Sequence, residues 1–137
     1  MALNIDAGKG VEGMISPMSV RAIRGAIQVE ENSAHAIAAG TKELLAEIVR
    51  ANSLEVTQII SVLLTATPDL NAAFPAAAAR EVGFESTPLL CAVEIDVPGA
   101  LNRVVRAMVT VETNAALGEI VHIYLGGAKA LRRDIAQ

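Results

Sequence analysis

Two charged side chains stand in a stretch of sequence that otherwise favours burial. The stretch LLCAVEIDVPGALNRVVRAMV, residues 89–109, is mainly apolar, yet it contains Glu94 and Arg106. Because charged groups are costly to bury unless they are paired, each needs an opposite charge or a polar ligand nearby. The two residues therefore form either a buried structural ion pair or the polar part of a functional site.

Arginine is also more frequent than lysine along the whole chain. Eight arginines, at positions 21, 24, 50, 80, 103, 106, 132 and 133, stand against three lysines. Since the guanidinium group binds carboxylates and phosphates through two parallel hydrogen bonds, this bias is typical of a protein with an anionic ligand. A GC-rich genome would produce the same bias, so the count alone leaves both interpretations open.

Composition narrows the class of protein. The chain has 137 residues with a net charge of -4 and a pI near 5.1, so no basic surface for nucleic acid or anionic membranes is expected. The apolar runs are far shorter than the roughly 20 residues that span a bilayer, which predicts a soluble protein. Residues 1–17 are predicted to be a flexible leader or an expression remnant, and residues 18–137 a single domain.

The chain is unusually apolar for a soluble protein. Hydrophobic residues make up 53 % of it, while aromatic residues make up only 2 %. Such a chain is expected to cover part of its surface with further copies of itself, although an alanine-rich monomer is the alternative. With one cysteine and two histidines, Cys91, His35 and His122, neither an internal disulfide nor a metal site is expected, and the cytoplasm is the expected compartment.

The elements alternate between strands and helices. A strand is predicted over 20–29, with Arg24 on the face opposite Ile23 and Ile27, followed by a helix that Ser33 caps and that runs to about residue 51. Further strands are predicted over 55–67, 88–95 and 106–113, with a short helix over 75–80, a turn or short helix at Pro98 and Gly99, and a last hairpin or strand pair from IVHIYL and AKALRRD. The fold class is therefore α/β or α+β, with a mixed sheet, one long helix and short helices.

Five blocks of sequence resemble the monofunctional AroH-type chorismate mutase family. They are IRGAIQVE, TATPDLNAAFPAAAAR, CAVEIDVPGAL, RAMVTVET and HIYLGGAKALRRD, in this order and with matching spacings. The resemblance covers most of the chain from about residue 20 to residue 134. It implies a homotrimer with a barrel-like core of packed sheets and three active sites in clefts between neighbouring subunits.

The resemblance also implies the reaction. Members of this family convert chorismate to prephenate, the committed step toward phenylalanine and tyrosine, by an intramolecular Claisen rearrangement. The family uses no metal, cofactor or covalent intermediate, so none is expected here.

The motif positions imply catalytic roles. Arg106 resembles the cation at the ether oxygen of the breaking bond, and Glu94 the acceptor for the ring hydroxyl, with Cys91 beside it. Arg24 and Tyr124 resemble ligands of the substrate carboxylates.

Other motif positions imply further contacts with substrate. Phe74 and Arg80 would face the same cleft from the adjacent subunit. Leu131 and Arg132 would come from a C-terminal segment that closes over the site, whereas His35 and His122 are interpreted as structural.

Some positions depart from the family pattern. Ala77 stands where the family commonly has a lysine, and Leu90 stands where a small hydroxyl residue is usual. Cys91 and Glu94 are three residues apart, so in an unbroken strand they would point to opposite faces. Either the strand ends between them or only one of them lines the site.

Two other functions remain open from the sequence. One is a trimeric hydrolase resembling the imine deaminases, which share a similar barrel-like trimer. The other is a catalytically silent relative that binds chorismate or prephenate, as the departures at Ala77 and Leu90 would allow.

Overall fold

A computed structural model describes residues 17–132 of the chain. The predicted leader therefore lies outside the described residues except for Pro17. The strands are Ser19–Gln28 (β1), Ile59–Ala66 (β2), Leu89–Val93 (β3), Val104–Thr113 (β4) and Ile123–Leu125 (β5), and the α-helices are Ala34–Ala51 (α1) and Pro75–Glu81 (α2). Short 3₁₀ helices cover Val56–Gln58, Leu117–Glu119 and Gly126–Leu131.

The strands form one mixed sheet in the order β3-β2-β4-β1-β5. The central strand β4 runs antiparallel to both β1 and β2, while β3 lies parallel to β2 and β5 parallel to β1. The predicted class, a mixed sheet with one long helix and short ones, is confirmed.

Helix α1 covers one face of this sheet. The Ser33 Oγ accepts a hydrogen bond from the Ala36 N–H at 3.0 Å and so begins the helix as predicted. The helix buries Ile37, Leu44, Leu45 and Ile48, whose spacing places them on the side that faces the core.

Alternate residues of the strands divide the sheet into a core face and an open face. On β1 the buried Ile23 and Ile27 belong to the core, whereas the partly exposed Arg24 lies on the open face, as predicted. Strand β4 repeats this alternation, with buried Val105 and Ala107 on the core face and exposed Arg106 on the other. The open face of the sheet therefore carries Arg24 and Arg106.

The end of the chain differs from the prediction of a hairpin or strand pair, which is wrong. Between residues 120 and 132 only one strand forms, β5, and it pairs with β1, with Ile123 opposite Gly25. Gly126 then takes a positive φ of 58° and turns the chain into a 3₁₀ helix, which occupies residues 126–131 in place of the predicted second strand.

No helix among residues 17–132 is long and apolar enough to cross a membrane.

Candidate active site

A row of neighbouring residues crosses the open face of the sheet. Thr65 on β2 lies opposite Arg106 on β4, which lies opposite Ala26 on β1, which in turn pairs with Tyr124 on β5. Because paired residues on adjacent strands point to the same face, four strands deliver these side chains to one line.

A second row runs beside the first. Leu63 on β2 lies opposite Met108 on β4, and Met108 lies opposite Arg24 on β1. The two rows are two residues apart along each strand, which keeps them on the same face.

Between these rows lies a cavity of about 210 Å³. It is lined by Arg24, Gly25, Leu63, Thr65, Glu94, Arg106, Ala107, Met108 and Tyr124, and is called the Arg106 cavity below. Four of the predicted site residues, Arg24, Glu94, Arg106 and Tyr124, are thus brought together by the fold.

Arg106 and Glu94 form a loose ion pair in this cavity. The Arg106 Nε lies 3.6 Å from the Glu94 Oε2, longer than the 2.7–2.9 Å typical of a charge-assisted hydrogen bond. The side chains keep 44 % and 26 % of their surface exposed. Within this chain neither group of the pair is fully buried, and both line the Arg106 cavity.

Strand β2 hydrogen-bonds both the backbone and the carboxylate of Glu94. The Glu94 N–H donates to the Ala66 carbonyl at 2.9 Å, which extends the pairing of β3 beyond its end at Val93. The Thr65 hydroxyl donates a hydrogen bond to the Glu94 Oε2. Sequence reasoning missed Thr65, although its alternation with Leu63 on one face of a predicted strand was a usable signal.

Arg24 is held from the opposite side by His122. The Arg24 N–H donates to the His122 Nδ1 at 3.0 Å. Burial lowers the pKa of His122, and the positive charges of Arg24 and Arg132 lower it further. Since an unprotonated nitrogen is needed to accept this hydrogen bond, the interaction and the lowered pKa both favour the neutral imidazole.

Tyr124 and Leu131 belong to a small apolar cluster beside the Arg106 cavity. Tyr124 is only 4 % exposed and packs with Ala26 and Val104, and Leu131 packs against this group. The electrostatic effect of Arg132 on His122 places Arg132 near the same end of the sheet. Leu131 therefore lies beside Tyr124, which itself lines the cavity.

The remaining predicted residues line a different cavity. Phe74, Arg80 and Cys91 surround a space of about 460 Å³ beside edge strand β3, together with Ala76, Ala77, Leu89 and Leu90. Phe74 is the N-cap residue before α2 and is 75 % exposed, and Arg80 lies in the last turn of α2. Within one subunit, these residues do not line the Arg106 cavity.

The position of Cys91 answers the question of its spacing from Glu94. Cys91 pairs with Leu64 and packs partly against the core, whereas Glu94 follows the end of β3 and turns into the Arg106 cavity. The structure therefore separates the two side chains, and only Glu94 lines that cavity.

The ionisable residues of the Arg106 cavity suit an anionic ligand. Two arginines stand against one carboxylate, which gives a local positive charge in a chain whose net charge is -4. No cluster of three or more His, Cys, Asp or Glu side chains within residues 17–132 has the proximity needed to hold a metal ion. The arrangement can bind carboxylates and place a cation and an anion on opposite parts of one small molecule.

Comparison with known proteins gives a consistent result. The family described as chorismate mutase type I matches residues 20–135. The protein named chorismate mutase AroH from Bacillus subtilis (strain 168) is 41 % identical over 120 residues, which cover 87 % of this chain and 94 % of the relative. Its namesake from Thermus thermophilus is 44 % identical over 117 residues, covering 85 % and 96 % of the two chains.

A solved structure agrees with these sequence matches. The chorismate mutase from Clostridium thermocellum is 50 % identical and superimposes with a TM-score of 0.79. The match covers 80 % of this chain and 98 % of that one.

Proposed function

The chain belongs to the chorismate mutase type I family, and from this premise we propose that the Arg106 cavity is its active site. The protein is a chorismate mutase, an intramolecular isomerase that converts chorismate to prephenate in aromatic amino acid biosynthesis. This membership decides against the imine deaminase alternative. The meeting of Arg106 and Glu94 on the open face carries the assignment of the site.

Arg106 is assigned to the ether oxygen of chorismate. In the rearrangement a carbon–oxygen bond breaks while a carbon–carbon bond forms, and negative charge develops on that oxygen. A fixed guanidinium group stabilises this charge more strongly in the transition state than in the ground state, which raises the rate. An acceleration of about a millionfold requires about 8 kcal/mol, of which one preorganised donor supplies about 3–4 kcal/mol.

Glu94 is assigned to the ring hydroxyl. The ring side of the substrate becomes electron-poor as the bond breaks, so a carboxylate that accepts a hydrogen bond there complements the developing charge. The loose ion pair supports this role, because a 3.6 Å separation leaves both the guanidinium and the carboxylate with hydrogen-bonding capacity for a ligand.

Arg24 and Tyr124 are assigned to the substrate carboxylates. Chorismate is a dianion, and groups that hold its two ends keep the reacting carbons close together, which lowers the entropic part of the barrier. Leu131 and Arg132 would add contacts from the segment after β5, consistent with the packing of Leu131 beside Tyr124.

We further propose that the active site is completed by a neighbouring subunit of a homotrimer. The volume of the Arg106 cavity is below the range of about 300–1,000 Å³ that small-molecule sites usually have, so another wall is required. Phe74, Arg80 and Cys91 form a wall of suitable chemistry on the far side of β3, and we assign them to the active site of the adjacent subunit.

The exposed apolar side chains support this assembly. The segment around β3 exposes Leu90, Val93 and Ile95 by 67 %, 69 % and 84 %, next to the open edge of the sheet. Exposed apolar side chains concentrated at a sheet edge indicate a protein–protein contact. The cytoplasm is the compartment we propose, in keeping with a biosynthetic enzyme that has a single cysteine.

The direct test is the turnover of chorismate by the purified protein. Loss of chorismate absorbance is followed with time, and prephenate is identified by its acid conversion to phenylpyruvate. Turnover that is lost in a folded Arg106→Ala variant supports both the activity and the site. Binding of chorismate by calorimetry without any turnover would contradict the proposal and identify a catalytically silent protein.

A further inference from the structure

Thr65 stands at the centre of the contacts that hold Glu94. It is half-buried, lines the Arg106 cavity and lies directly opposite Arg106 in the pairing of β2 with β4. Its neighbour Ala66 accepts the backbone hydrogen bond of Glu94 at 2.9 Å. Consecutive residues of β2 therefore hold the backbone and the side chain of Glu94.

The hydrogen bond from Thr65 and the 3.6 Å approach of Arg106 both involve the same oxygen of Glu94. The Thr65 hydroxyl donates to Oε2, and the Arg106 Nε lies 3.6 Å from that atom. Within residues 17–132, the hydrogen bonds include none to the other oxygen, Oε1. The carboxylate is thus oriented with one oxygen engaged by the protein and the other available to accept from a ligand.

We propose that Thr65 is a positioning residue for the mutase reaction, and that its hydroxyl sets the orientation of the Glu94 carboxylate for the ring hydroxyl of chorismate. The inference rests on the proposed role of Glu94. A glutamate side chain has three rotatable torsions and is otherwise free to follow its attraction to Arg106. The Thr65 hydroxyl, on a short side chain of strand β2, holds Oε2. This keeps Oε1 directed at the substrate before the reaction begins, as catalysis by fixed charges requires.

The hydroxyl is the group that the test must remove. Thr65→Val has nearly the same shape and lacks the donor, and Thr65→Ser keeps the donor but lacks the methyl group. We expect Thr65→Val to lower kcat/KM by about 10- to 100-fold, the range for losing a hydrogen bond to a charged group. The loss should fall mainly on kcat, while Thr65→Ser should stay within about threefold of the wild type.

A double-mutant cycle with Glu94→Gln separates positioning from a purely structural role. If Thr65 acts through the carboxylate, Thr65→Val should cost far less in the Glu94→Gln background than in the wild type. A structural role would give the same loss in both backgrounds. Circular dichroism and the unfolding temperature check that each variant is folded, and Thr65→Ala replaces Thr65→Val if the valine variant does not fold.

The outcomes distinguish the two proposals. Full kcat/KM in Thr65→Val, or an equal loss in both backgrounds, would overturn the positioning role while leaving the function of the Arg106 cavity intact. Full activity of Glu94→Gln alone would overturn the role of Glu94 and with it the role of Thr65. We expect a nearly wild-type kcat/KM in Thr65→Ser. We also expect Thr65→Val to cost much less in the Glu94→Gln background than in the wild type.

Discussion

The backbone N–H of Arg24 on β1 donates a 3.0 Å hydrogen bond to the Nδ1 of His122, the residue that precedes β5. One arginine of the cavity is thus held through its own backbone by a histidine 98 positions later in the chain. Burial and two nearby arginines lower the pKa of this histidine. Its neutral form is therefore part of the architecture of the site.

We expect folding stability to fall in mildly acidic solution because of His122. Below about pH 6.5, the ordinary pKa of histidine, the unfolded chain takes up a proton that the folded chain resists, so the free energy of unfolding decreases as pH falls. The contribution of His122 is fully present above that pH and is lost as pH falls through the lowered pKa of the folded state. Urea unfolding over a pH series measures it.

Two asparagine variants isolate this effect. His122→Asn supplies an acceptor near the position of Nδ1 but cannot be protonated, so its stability should depend less on pH than that of the wild type. His35→Asn, at an exposed position on α1, should retain the wild-type dependence. The same pH slope in His122→Asn and wild type would contradict the prediction.

Removal of the Arg106 guanidinium should lower kcat by roughly 100- to 1,000-fold, the usual effect of losing one donor that stabilises transition-state charge. Steady-state kinetics with chorismate measures the change. The matched control is Arg50→Ala, since Arg50 is exposed on α1 and pairs with Glu47 outside the cavity. A kcat for Arg106→Ala equal to that of the control would remove Arg106 from the mechanism.

Mixed oligomers should reveal whether neighbouring subunits share an active site. Arg106→Ala and Arg80→Ala should each be nearly inactive alone, because each lacks one wall of every site. Co-refolding equal amounts should restore roughly a quarter of the wild-type activity, the chance that a site in a cyclic trimer receives both intact walls.

The same two variants mixed without refolding are the control and should stay inactive while their subunits do not exchange. If refolded mixtures give no activity although they form trimers, the two arginines do not serve one shared site. Size-exclusion chromatography with light scattering gives the oligomeric state in the same samples.

Gly40 should resist substitution although it lies in the middle of a helix. Alanine at this position favours the helix by about 1 kcal/mol. Its Cβ, however, would lie 2.5 Å from the Val29 Cγ1, and the stiff valine has little room to move. We expect Gly40→Ala to be destabilising overall by about 1–2 kcal/mol because overpacking exceeds the gain in propensity.

Thermal unfolding checks this balance. Gly40→Ala should cost less stability in a Val29→Ala background than in the wild type, because the smaller side chain makes room for the new methyl group. Gly118→Ala, where a Cβ would meet nothing within 4 Å, provides the control. A stabilised Gly40→Ala protein would show that α1 can shift away from β1 at little cost.

Local patterns were sufficient to predict much of the fold. Alternation over 20–29 correctly placed Arg24 opposite the core residues, and the capping residue Ser33 correctly marked the start of α1. These features depend on residues a few positions apart, whose periodicity reflects which side is buried.

Contacts between distant parts of the chain were not predictable in this way. Strand β5 has only three residues, and its partner β1 lies about 100 positions earlier, so no hairpin pattern indicates the pairing. The contact between Thr65 and Glu94 likewise joins residues 29 apart through the register of two strands. The grouping of Arg24, Glu94, Arg106 and Tyr124 was expected from family resemblance rather than from any spacing in the sequence.

The two roles of β4 restrict how this strand can change in evolution. Its alternate residues serve the core and the cavity, so a single inserted or deleted residue would turn Arg106 toward the core and expose Ala107 in its place. Core packing and the cation of the Arg106 cavity would then be disrupted in one event. Substitutions that keep the alternation can accumulate in β4, while its length stays fixed.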